Sequence, residues 1–570
     1  MASLEWIGKQ SVVGHHLEVP FRLLKRNELL SFGQNDTGNL LVQGDNLVAL
    51  KALLPYYAGQ IKCVYIDPPY NTGNEGWRYN DNVNSPEMRE WLGQVVGKEG
   101  EDLSRHDKWL CMMYPRLLLL REFLRDDGVI LVSIDDNEVA NLKILMQVIF
   151  GEQNFIATLV WEKGKKGDAN FFSVTHEYIL VAAKNKAAIV AKGRKWRRKK
   201  PGIEKVLSYY AELRKKMADD HAAIRKEMMR WYRSLRAGDP AKAHKHYNWS
   251  DDRGLYFASD FSGPDDGREN RPRYDIIHPV TKRPCAKPST GWRWEEEKTL
   301  RALETKPARI HFGPDETTIP CRKSYLVEID KEPFPSVFYK DGRAGTLELE
   351  QLIGPGNFPF PKDSEVVADL ISLVCEKDDL ILDSFAGSGT TGQAILRLNN
   401  SDNGNRRFIL IEMEVYICEN VTRKRLVSAM TGQIPRNGET LKLTSAGFSY
   451  CELGVSLFDA NGQIRKEVKF SDLAHHIFFV ETNEPLSKPI DDSTPLIGIA
   501  KGIAVYLLYN GVLKDKTPSG GNVLTSAVLA TLPSHNGPKI IYGTSCRLSL
   551  DRLRREGITF RQIPYEMRAA

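Results

Sequence analysis

Two short apolar runs in the sequence each end in a polar loop of unusual composition, and this repeated arrangement restricts the fold more than any other feature. The run from Ile61 to Ile66 leads directly into an Asp-Pro-Pro-Tyr tetrapeptide at residues 67–70. The run from Leu380 to Leu382 leads into Asp383 and a glycine-rich loop. Short apolar runs are typical of buried strands, and ligands bind at the carboxyl ends of the strands in a doubly wound α/β sheet. The sequence therefore predicts such a sheet, with both loops at its ligand-binding edge.

The regions around these loops, about 38–186 and 351–430, alternate between strand-like and helical patterns. In the first region, residues 109–124 have the apolar spacing of a helix, and residues 129–134 have the pattern of another buried strand. In the second region, residues 408–411 form a further strand candidate. We therefore interpret the two regions as halves of one split domain.

Residues 187–350 differ in character from the regions on either side. A long polar helix is predicted over residues 203–236, and a loop-rich, aromatic stretch follows it. The net charge of the whole chain is only +6, so a polyanionic partner must be met by a local basic surface. The densest candidate for that surface surrounds Trp196 and consists of Arg194, Lys195, Arg197, Arg198, Lys199 and Lys200.

The remaining residues contain strand-like runs at 477–480, 503–508 and 539–542 and no constellation of catalytic residues. We predict an α/β fold in which one doubly wound sheet is split by an inserted domain and followed by a small C-terminal α/β module. The predicted segments are 1–186 for the first half of the sheet domain, 187–350 for the insert, 351–446 for the second half, and 447–570 for the module of unknown role.

Composition argues against several other classes of protein. No apolar run approaches the roughly 20 residues needed to span a bilayer, and the N-terminus has no signal-peptide pattern, so we expect a cytoplasmic protein with no membrane partner.

The eight cysteines form no CxxC pair, which favours reduced, mostly buried thiols. His475 and His476 are adjacent and point in different directions, so solvated or capping histidines are favoured over a metal site. No metal is predicted.

The loop after the first apolar run has the composition of a hydrogen-bond acceptor site. It consists of Asp67, Pro68, Pro69 and Tyr70. The prolines stiffen the loop and leave carbonyls that no helix or sheet consumes. Asp67 and the Pro68 carbonyl would each accept one N–H of an exocyclic amine and aim its lone pair at a methyl donor. Tyr70 would stack on a base flipped out of a duplex. For the tetrapeptide alone, the alternative is an ordinary Asp-Pro turn with a core tyrosine.

The second loop is suited to an adenosine-containing ligand. Its glycines let a ligand approach the backbone, and a helix is predicted to begin near Thr391. Glu412 ends the next strand about 29 positions after Asp383, where an acidic side chain can accept both ribose hydroxyls. The Lys-Ser/Thr ending of a phosphate-binding loop is missing, so a sulfonium cofactor, S-adenosylmethionine, is favoured over nucleotide hydrolysis. The candidate cofactor residues of this region are Asp383, Phe385, Ala386, Gly387, Gly389, Thr390 and Glu412.

The two motifs in this order resemble the DNA amino-methyltransferases of the permuted class, in which Asp-Pro-Pro-Tyr precedes Phe-x-Gly-x-Gly. The resemblance covers about residues 38–430, and the segments Gly128–Glu138 and His176–Tyr178 look like those of the modification subunits of type III restriction systems. It implies a Rossmann-like methyltransferase sheet and methyl transfer from S-adenosylmethionine to N6 of adenine in duplex DNA, by base flipping and direct in-line transfer. It also implies a role in restriction-modification or phage defence.

The resemblance assigns further residues. The Gly44–Asn46 segment matches a motif that contacts the cofactor adenine, and Phe358–Lys362 matches one that closes over the methionine end. Asp363 stands where the family commonly has proline. The insert is implied to recognise the target sequence, so the six basic residues around Trp196 are predicted to contact DNA phosphates. The cofactor-binding residues implied in this way are Asp45, Asp67, Phe360, Lys362 and Ser364.

Three alternatives to adenine methylation stay open. Cytosine-N4 enzymes of this class usually carry serine in place of Asp67, but the chemistry works on either amine. A non-catalytic DNA-specificity subunit is disfavoured because both motifs are intact, and an RNA or small-molecule methyltransferase is disfavoured by the basic insert. The predicted partners are double-stranded DNA and either a second copy of the chain, a separate helicase-nuclease restriction subunit or other defence proteins.

Overall fold

A computed structural model of the chain describes residues 4–33, 37–72, 104–164, 171–267, 270–432, 447–459, 461–486, 488, 490–509 and 521–563. Its strands, in chain order, are β1 (Arg22–Phe32), β2 (Leu40–Gln43), β3 (Ile61–Ile66), β4 (Leu124–Ile134), β5 (Phe155–Glu162), β6 (His176–Ala183), β7 (Arg198–Lys199), β8 (Trp249–Asp251), β9 (Gly254–Ser259), β10 (Ile310–His311), β11 (Cys321–Tyr325), β12 (Lys331–Glu332), β13 (Val337–Tyr339), β14 (Leu380–Asp383), β15 (Arg407–Glu412), β16 (Phe448–Ser456), β17 (Leu496–Ala500), β18 (Ile503–Leu507), β19 (Val523–Leu524), β20 (Lys539–Gly543), β21 (Ser545–Cys546) and β22 (Ile558–Gln562).

The α-helices of the described residues are Lys9–Val12, His15–Glu18, Asn46–Tyr57, Arg105–Phe123, Val139–Phe150, Lys186–Ala191, Ile203–Met217, His221–Ser234, Glu296–Glu304, Arg343–Ile353, Ser364–Val374, Thr390–Asp402, Val415–Ile417, Arg423–Thr431, Phe470–Thr482, Ser526–Thr531 and Leu550–Arg555. Short 3₁₀ turns lie at Glu152–Asn154, Pro240–His244 and Leu326–Glu328, and a π-helical turn lies at Cys418–Thr422. Within these ranges, none of the helices combines the length and the apolar character that crossing a membrane requires.

The largest sheet confirms the predicted α/β fold class. Among the described residues it has ten strands in the order β1-β16-β2-β15-β14-β3-β4-β6-β5-β13. All of them are parallel except β1 and β6. β3, β14 and β15 are almost fully buried apolar strands, as expected when helices cover both faces of a parallel sheet. The two strands that precede the predicted loops, β3 and β14, are direct neighbours, so their carboxyl ends meet at one edge.

The chain forms two compact units, of which one contains residues 1–195 and 335–570 and the other residues 196–334. The second unit lies inside the predicted insert of 187–350. Strand β16, in the segment predicted to be a separate C-terminal module, lies in the large sheet between β1 and β2. Both halves of the first unit therefore contribute strands to one continuous sheet.

The unit of residues 196–334 has its own core and its own four-stranded sheet, in the order β10-β11-β9-β8. The single helix predicted over 203–236 was wrong, because two helices, Ile203–Met217 and His221–Ser234, occupy this stretch. The break falls at Ala218, whose φ is +48°, and Asp220 caps the second helix by accepting from the Ala223 N–H. The two helices pack their apolar faces together around Val206, Ile224 and Met228.

The C-terminal residues form a second small sheet, in the order β17-β18-β20-β22. This confirms the predicted strands near 503–508 and 539–542. The strand predicted at 477–480 was wrong, because these residues lie in the helix Phe470–Thr482. A short apolar run does not distinguish a buried strand from a buried stretch of helix, and this one packs against the main core through Ile477, Phe478 and Phe479.

The cysteine prediction is confirmed, since all eight thiols are free and six of them are buried. The expectation of a solvated or capping His476 was wrong. Its side chain is buried on the helix Phe470–Thr482 and packs edge-on against Phe21, with ring centroids 4.5 Å apart. Neither ring nitrogen has a hydrogen-bond partner among the described residues, and burial lowers the pKa of His476 to about 3.

Replacing His476 by phenylalanine is expected to remove part of the acid sensitivity of the fold. The unfolded chain binds a proton at this residue below a pKa of roughly 6.5, whereas the folded chain does not until about pH 3, so stability present above pH 6.5 is lost as the pH falls. Between pH 7.5 and 5.5 the wild-type free energy of unfolding should fall by about 1.4 kcal/mol more than that of His476→Phe. Urea unfolding at both pH values measures this difference, and equal losses in the two proteins would contradict the burial argument.

Candidate active site

The first predicted loop lies at the carboxyl end of β3 and presents unused hydrogen-bond acceptors. Oδ2 of Asp67 pairs with the ammonium of Lys362 at 2.9 Å, while Oδ1 is buried and has no hydrogen-bond partner among the described residues. The Pro69 carbonyl accepts from the indole N–H of Trp109 at 2.7 Å, which fixes the loop. No described residue donates to the Pro68 carbonyl. A buried acceptor without a donor is costly, and a ligand that donates hydrogen bonds to these two oxygens would remove that cost.

A cluster of charged side chains, buried except for the partly exposed Lys163, surrounds this loop. Glu177, on β6, accepts from the Tyr70 hydroxyl at 3.2 Å and pairs with Lys163 and, at 3.6 Å, with Lys362. Burial alone would lower the pKa of Lys362, but Asp67 and Glu177 outweigh burial and raise this pKa above its ordinary value. Burial opposes the ionised form of Glu177 as well, yet Lys362 and Lys163 hold its pKa below the ordinary value. The cluster therefore remains charged inside the protein.

The sequence analysis named neither Glu177 nor Lys163 as a site residue, and it used the His176–Tyr178 segment only as part of the family resemblance. Glu177 is 4 % exposed and is followed along β6 by five buried apolar residues. An acidic residue in such a strand is rarely buried without a cationic partner. That mismatch between residue type and strand pattern was the signal that could have identified it.

The loop after Tyr70 is held by a second, separate group. Asn71 has a φ of +59°, a left-handed conformation that asparagine tolerates better than most residues. Its amide donates to the fully buried Glu138, which also accepts from His106 Nδ1 at 2.6 Å and from Asn141 at 2.8 Å. This group fixes the backbone conformation at Asn71, directly after the first predicted loop.

The glycine-rich loop follows β14, as predicted, and opens the helix Thr390–Asp402. Gly387 and Gly389 have φ values of +51° and +81°, which explains the choice of glycine. A Cβ at position 389 would lie 3.0 Å from Thr422 Cγ2. Asp383 accepts from the Phe385 N–H at 3.0 Å and from the Thr391 hydroxyl, and burial raises its pKa to about 7 against these hydrogen bonds.

Glu412 ends β15 and joins this loop to the neighbouring strand. One carboxylate oxygen accepts from the Gly387 N–H at 2.8 Å, and the other accepts from the Glu414 N–H at 2.9 Å. Each oxygen has a further lone pair, so the carboxylate can still accept from ligand hydroxyls. Asp383 and Glu412 thus lie at the ends of adjacent parallel strands, on either side of the loop.

Below the loop, a fully buried guanidinium supports its polar side chains. Arg425 donates to the hydroxyls of Ser388 and Thr390 at 2.8 and 2.7 Å and pairs with Glu348 at 3.5 Å. Burial lowers the pKa of Arg425 to about 10. Ser364, predicted to contact a cofactor, donates to Glu348 at 2.7 Å and is completely buried. Its contact with a ligand stays a prediction.

The other predicted cofactor residues occupy different environments. Asp45 caps the helix Asn46–Tyr57 through the Val48 N–H at 3.0 Å and pairs with Arg116 at 3.1 Å, so each of its carboxylate oxygens already has a partner. Phe360 is 65 % exposed and has a φ of +49°. Asp363, which departs from the family pattern, caps the helix Ser364–Val374 by accepting from the N–H groups of residues 365 and 366.

The basic run around Trp196 is not one uniform charged surface. Arg194 donates to the carbonyls of Val374 and Cys375, and Arg198 pairs with Glu332 at 2.9 Å. Lys199 pairs with Glu204, and the Lys200 ammonium lies 5.6 Å from the ring centroid of Tyr247. Among the described residues, neither Lys195 nor Arg197 forms an ion pair, and both side chains are exposed. These two are the members of the run best placed to contact an outside anion.

Comparison with known proteins gives the following relationships. The sequence model of the DNA methylase family matches residues 61–423. The type III restriction-modification enzyme EcoP15I Mod subunit of Escherichia coli is 35% identical over 428 residues, 72% of this chain and 64% of that protein. The EcoPI Mod subunit of Escherichia phage P1 is 32% identical over 444 residues, 73% of this chain and 64% of that protein. The chain thus spans less than two thirds of the length of these two relatives.

A structure of a putative DNA modification methylase of Thermus thermophilus, complexed with S-adenosyl-L-methionine, aligns with a TM-score of 0.29 and 12% identity. The alignment covers 72% of this chain and 99% of that protein.

Proposed function

This chain belongs to the DNA methylase family, and from that premise we propose that it transfers a methyl group from S-adenosylmethionine to N6 of adenine in duplex DNA. We place this activity in restriction-modification, which the names of the type III relatives state, or in phage defence. The observation that carries the proposal is the buried, unpartnered Oδ1 of Asp67 beside the free Pro68 carbonyl, directly next to the glycine-rich loop.

The residues at this edge fit a sulfonium cofactor. S-adenosylmethionine would supply an electrophilic methyl group together with a positive charge and ribose hydroxyls that donate hydrogen bonds. Asp383 and Glu412 offer carboxylates for these groups, and the glycine loop leaves room for close approach to the backbone. A cation near Asp383 would also favour the ionised form of this carboxyl group, whose pKa burial raises to about 7.

The chain's own groups would act on the target amine by orientation. The adenine amino nitrogen is a poor nucleophile because its lone pair is delocalised into the ring. Asp67 Oδ1 and the Pro68 carbonyl would accept its two N–H bonds and draw the nitrogen toward a pyramidal geometry. Tyr70 would stack on the flipped base, with its hydroxyl held by Glu177. The Asp67 carboxylate then stabilises the positive charge that develops on nitrogen.

Sequencing of modified bases in DNA from cells that express the protein tests this proposal. N6-methyladenine at one short recognition sequence is the expected result. N4-methylcytosine at a defined sequence would replace the adenine assignment, since Asp67 and the Pro68 carbonyl suit either amine. A strain that expresses Asp67→Ala gives the baseline. DNA with no more modified bases than this baseline would contradict the proposed methyltransferase activity and favour a non-catalytic specificity subunit.

Glu412→Ala is expected to weaken S-adenosylmethionine binding, because the variant loses the acceptor for the ribose and the anchor of the Gly387 N–H. Two hydrogen bonds to a charged group are worth roughly 3 kcal/mol, or about a hundredfold in the dissociation constant. Isothermal calorimetry measures the change. Glu414→Ala, which alters an exposed carboxylate two residues later, is the matched control. An unchanged dissociation constant for Glu412→Ala would place the cofactor elsewhere.

We further propose that residues 196–334 recognise the DNA target and that Lys195 and Arg197 contact its phosphates. The double variant Lys195→Ala/Arg197→Ala should bind every DNA sequence more weakly, and the slope of log affinity against log salt should fall by about 1.8 for two lost contacts. Fluorescence anisotropy at several salt concentrations measures this. Lys25→Ala/Lys466→Ala, which removes two other exposed lysines, should leave the slope unchanged. A loss confined to one sequence would instead indicate base readout.

The partners of the chain are also proposals. We propose that the chain works as a homodimer or with a helicase-nuclease subunit, as the resemblance to type III modification subunits implies. Light scattering of the purified protein at micromolar concentration tests the dimer, and a fully active monomer would contradict it.

A further inference from the structure

Two adjacent phenylalanines are almost completely exposed near the candidate active site. Phe171 and Phe172 each have 94 % of their surface accessible. Val174, close behind them, is also exposed. Large apolar side chains that are clustered in water rather than scattered singly mark a surface that binds a partner. This aromatic pair contributes nothing to the core and therefore requires another explanation.

Strand register places the pair at the carboxyl edge of the large sheet. β5 and β6 form an antiparallel hairpin whose last ladder pair is Glu162 with His176, and the Lys163 N–H extends it by donating to the Thr175 carbonyl at 2.8 Å. Phe172 is three residues from Thr175, so it lies within about 11 Å of the hairpin base. The base of this hairpin belongs to the charged cluster around the Asp67–Tyr70 loop, since Lys163 and Glu177 pair there.

Basic side chains stand at the same edge. β13 runs parallel to β5, and the Gly342 N–H donates to the Lys163 carbonyl at 2.9 Å, which brings the following residue, Arg343, to the hairpin base. Arg343 is exposed and forms no ion pair with a described residue. Lys163, about one third exposed and paired with Glu177, is a second cation at this edge. An aromatic pair with neighbouring cations complements a nucleic acid, which offers base stacks and phosphates together.

We propose that Phe171 and Phe172 form a wedge that enters the DNA duplex at the target base pair and occupies the space left by the flipped adenine. This inference rests on the proposed function. Extruding a base breaks its pairing and its stacking on both neighbours, and an apolar side chain inserted between base steps compensates for the lost stacking. Tyr70 and Asp67 would hold the extruded base, while the wedge would hold the duplex open.

Kinetics on two matched duplexes test the wedge. One duplex carries the target adenine opposite thymine, and the other carries it opposite an abasic site, where flipping is already easier. Phe171→Ala/Phe172→Ala should lower kcat/KM about ten- to hundredfold on the paired duplex, as expected for lost base stacking. On the abasic duplex the variant should recover to within about threefold of the wild type. Leu29→Ala, which removes a side chain that is 91 % exposed on β1, is the control and should match the wild type on both.

The outcomes separate this inference from the proposed function. A wild-type protein that methylates neither duplex overturns the proposed function itself. Equal losses on both duplexes, or no loss on either, overturn the wedge while leaving methylation intact. Normal kinetics of the variant together with a loss of self-association in light scattering would assign the aromatic pair to a second copy of the chain instead. Phe172→Trp provides a direct readout, because insertion between bases should quench its fluorescence when the paired duplex is added.

Discussion

Asp67→Ala is expected to abolish methyl transfer while S-adenosylmethionine still binds with nearly unchanged affinity. The substitution removes the buried Oδ1 acceptor that would orient the target amine, together with the negative charge that stabilises the developing cation. Loss of one such preorganised group commonly costs about 10² to 10³ in rate. Asp67 also balances the Lys362 ammonium, which in the variant has only Glu177 as a counter-ion. The loss should therefore fall at the upper end of this range or beyond it.

Single-turnover transfer of a radiolabelled methyl group measures the rate, and calorimetry measures cofactor binding in the same preparations. Asp67→Asn keeps the shape and one oxygen acceptor but removes the charge, so its rate should lie between those of the alanine variant and the wild type. Asp126→Ala removes an exposed aspartate from β4 and serves as the matched control. An Asp67→Ala protein that retained more than a tenth of the wild-type rate would overturn its assigned role.

Glu348→Ala is expected to lower the free energy of unfolding more than any other substitution proposed for this chain. Its carboxylate is 3 % exposed and forms an ion pair with Arg425, whose side chain is completely buried. A second ion pair joins Glu348 to Arg397 at 3.6 Å. The variant leaves the Arg425 charge with only neutral acceptors, and breaking a buried ion pair on one side costs about 3–5 kcal/mol. Because Arg425 also holds Ser388 and Thr390, cofactor binding should weaken together with stability.

Urea unfolding measures the change, with Glu350→Ala on the same helix as the control, since that residue is half-exposed and forms no ion pair within the described structure. The double variant Glu348→Leu/Arg425→Met removes both charges and should be more stable than Glu348→Ala, because no unpaired buried charge remains. A loss below about 1 kcal/mol for Glu348→Ala would show that the carboxylate is dispensable.

The two loops could be predicted from sequence because each follows a buried strand and consists of residue types that a hydrophobic core does not need. The runs before Asp67 and Asp383 are short, apolar and followed at once by residues that no core requires, so strand and loop were identified together. The two strands, β3 and β14, are parallel neighbours in the large sheet. The carboxyl ends of neighbouring parallel strands must meet, and this geometric rule made the proximity of the two loops predictable.

The rest depended on contacts that sequence does not display. Glu177 reaches Tyr70 only because β6 runs antiparallel beside β4, far from Asp67 along the chain. The ion pairs of Arg194 and Arg198 likewise depend on partners from distant segments, so a dense basic run was easily taken for one continuous surface. The helix at 477–480 shows the same limit, since its apolar residues serve the core in either secondary structure.

The short pair of β7 and β12 has a consequence for the proposed recognition of DNA by residues 196–334. These strands are the first and last of the unit formed by residues 196–334, and they pair directly, Arg198 with Glu332 and Lys199 with Lys331. The chain therefore enters and leaves this unit side by side, the arrangement in which an inserted domain is best tolerated. A foreign domain with the same closely spaced ends could be grafted between residues 199 and 331 without altering any strand of the large sheet. Under the proposed role of this unit in target recognition, new target sequences would arise by exchange of the inserted domain, while the residues proposed to carry methyl transfer stay the same.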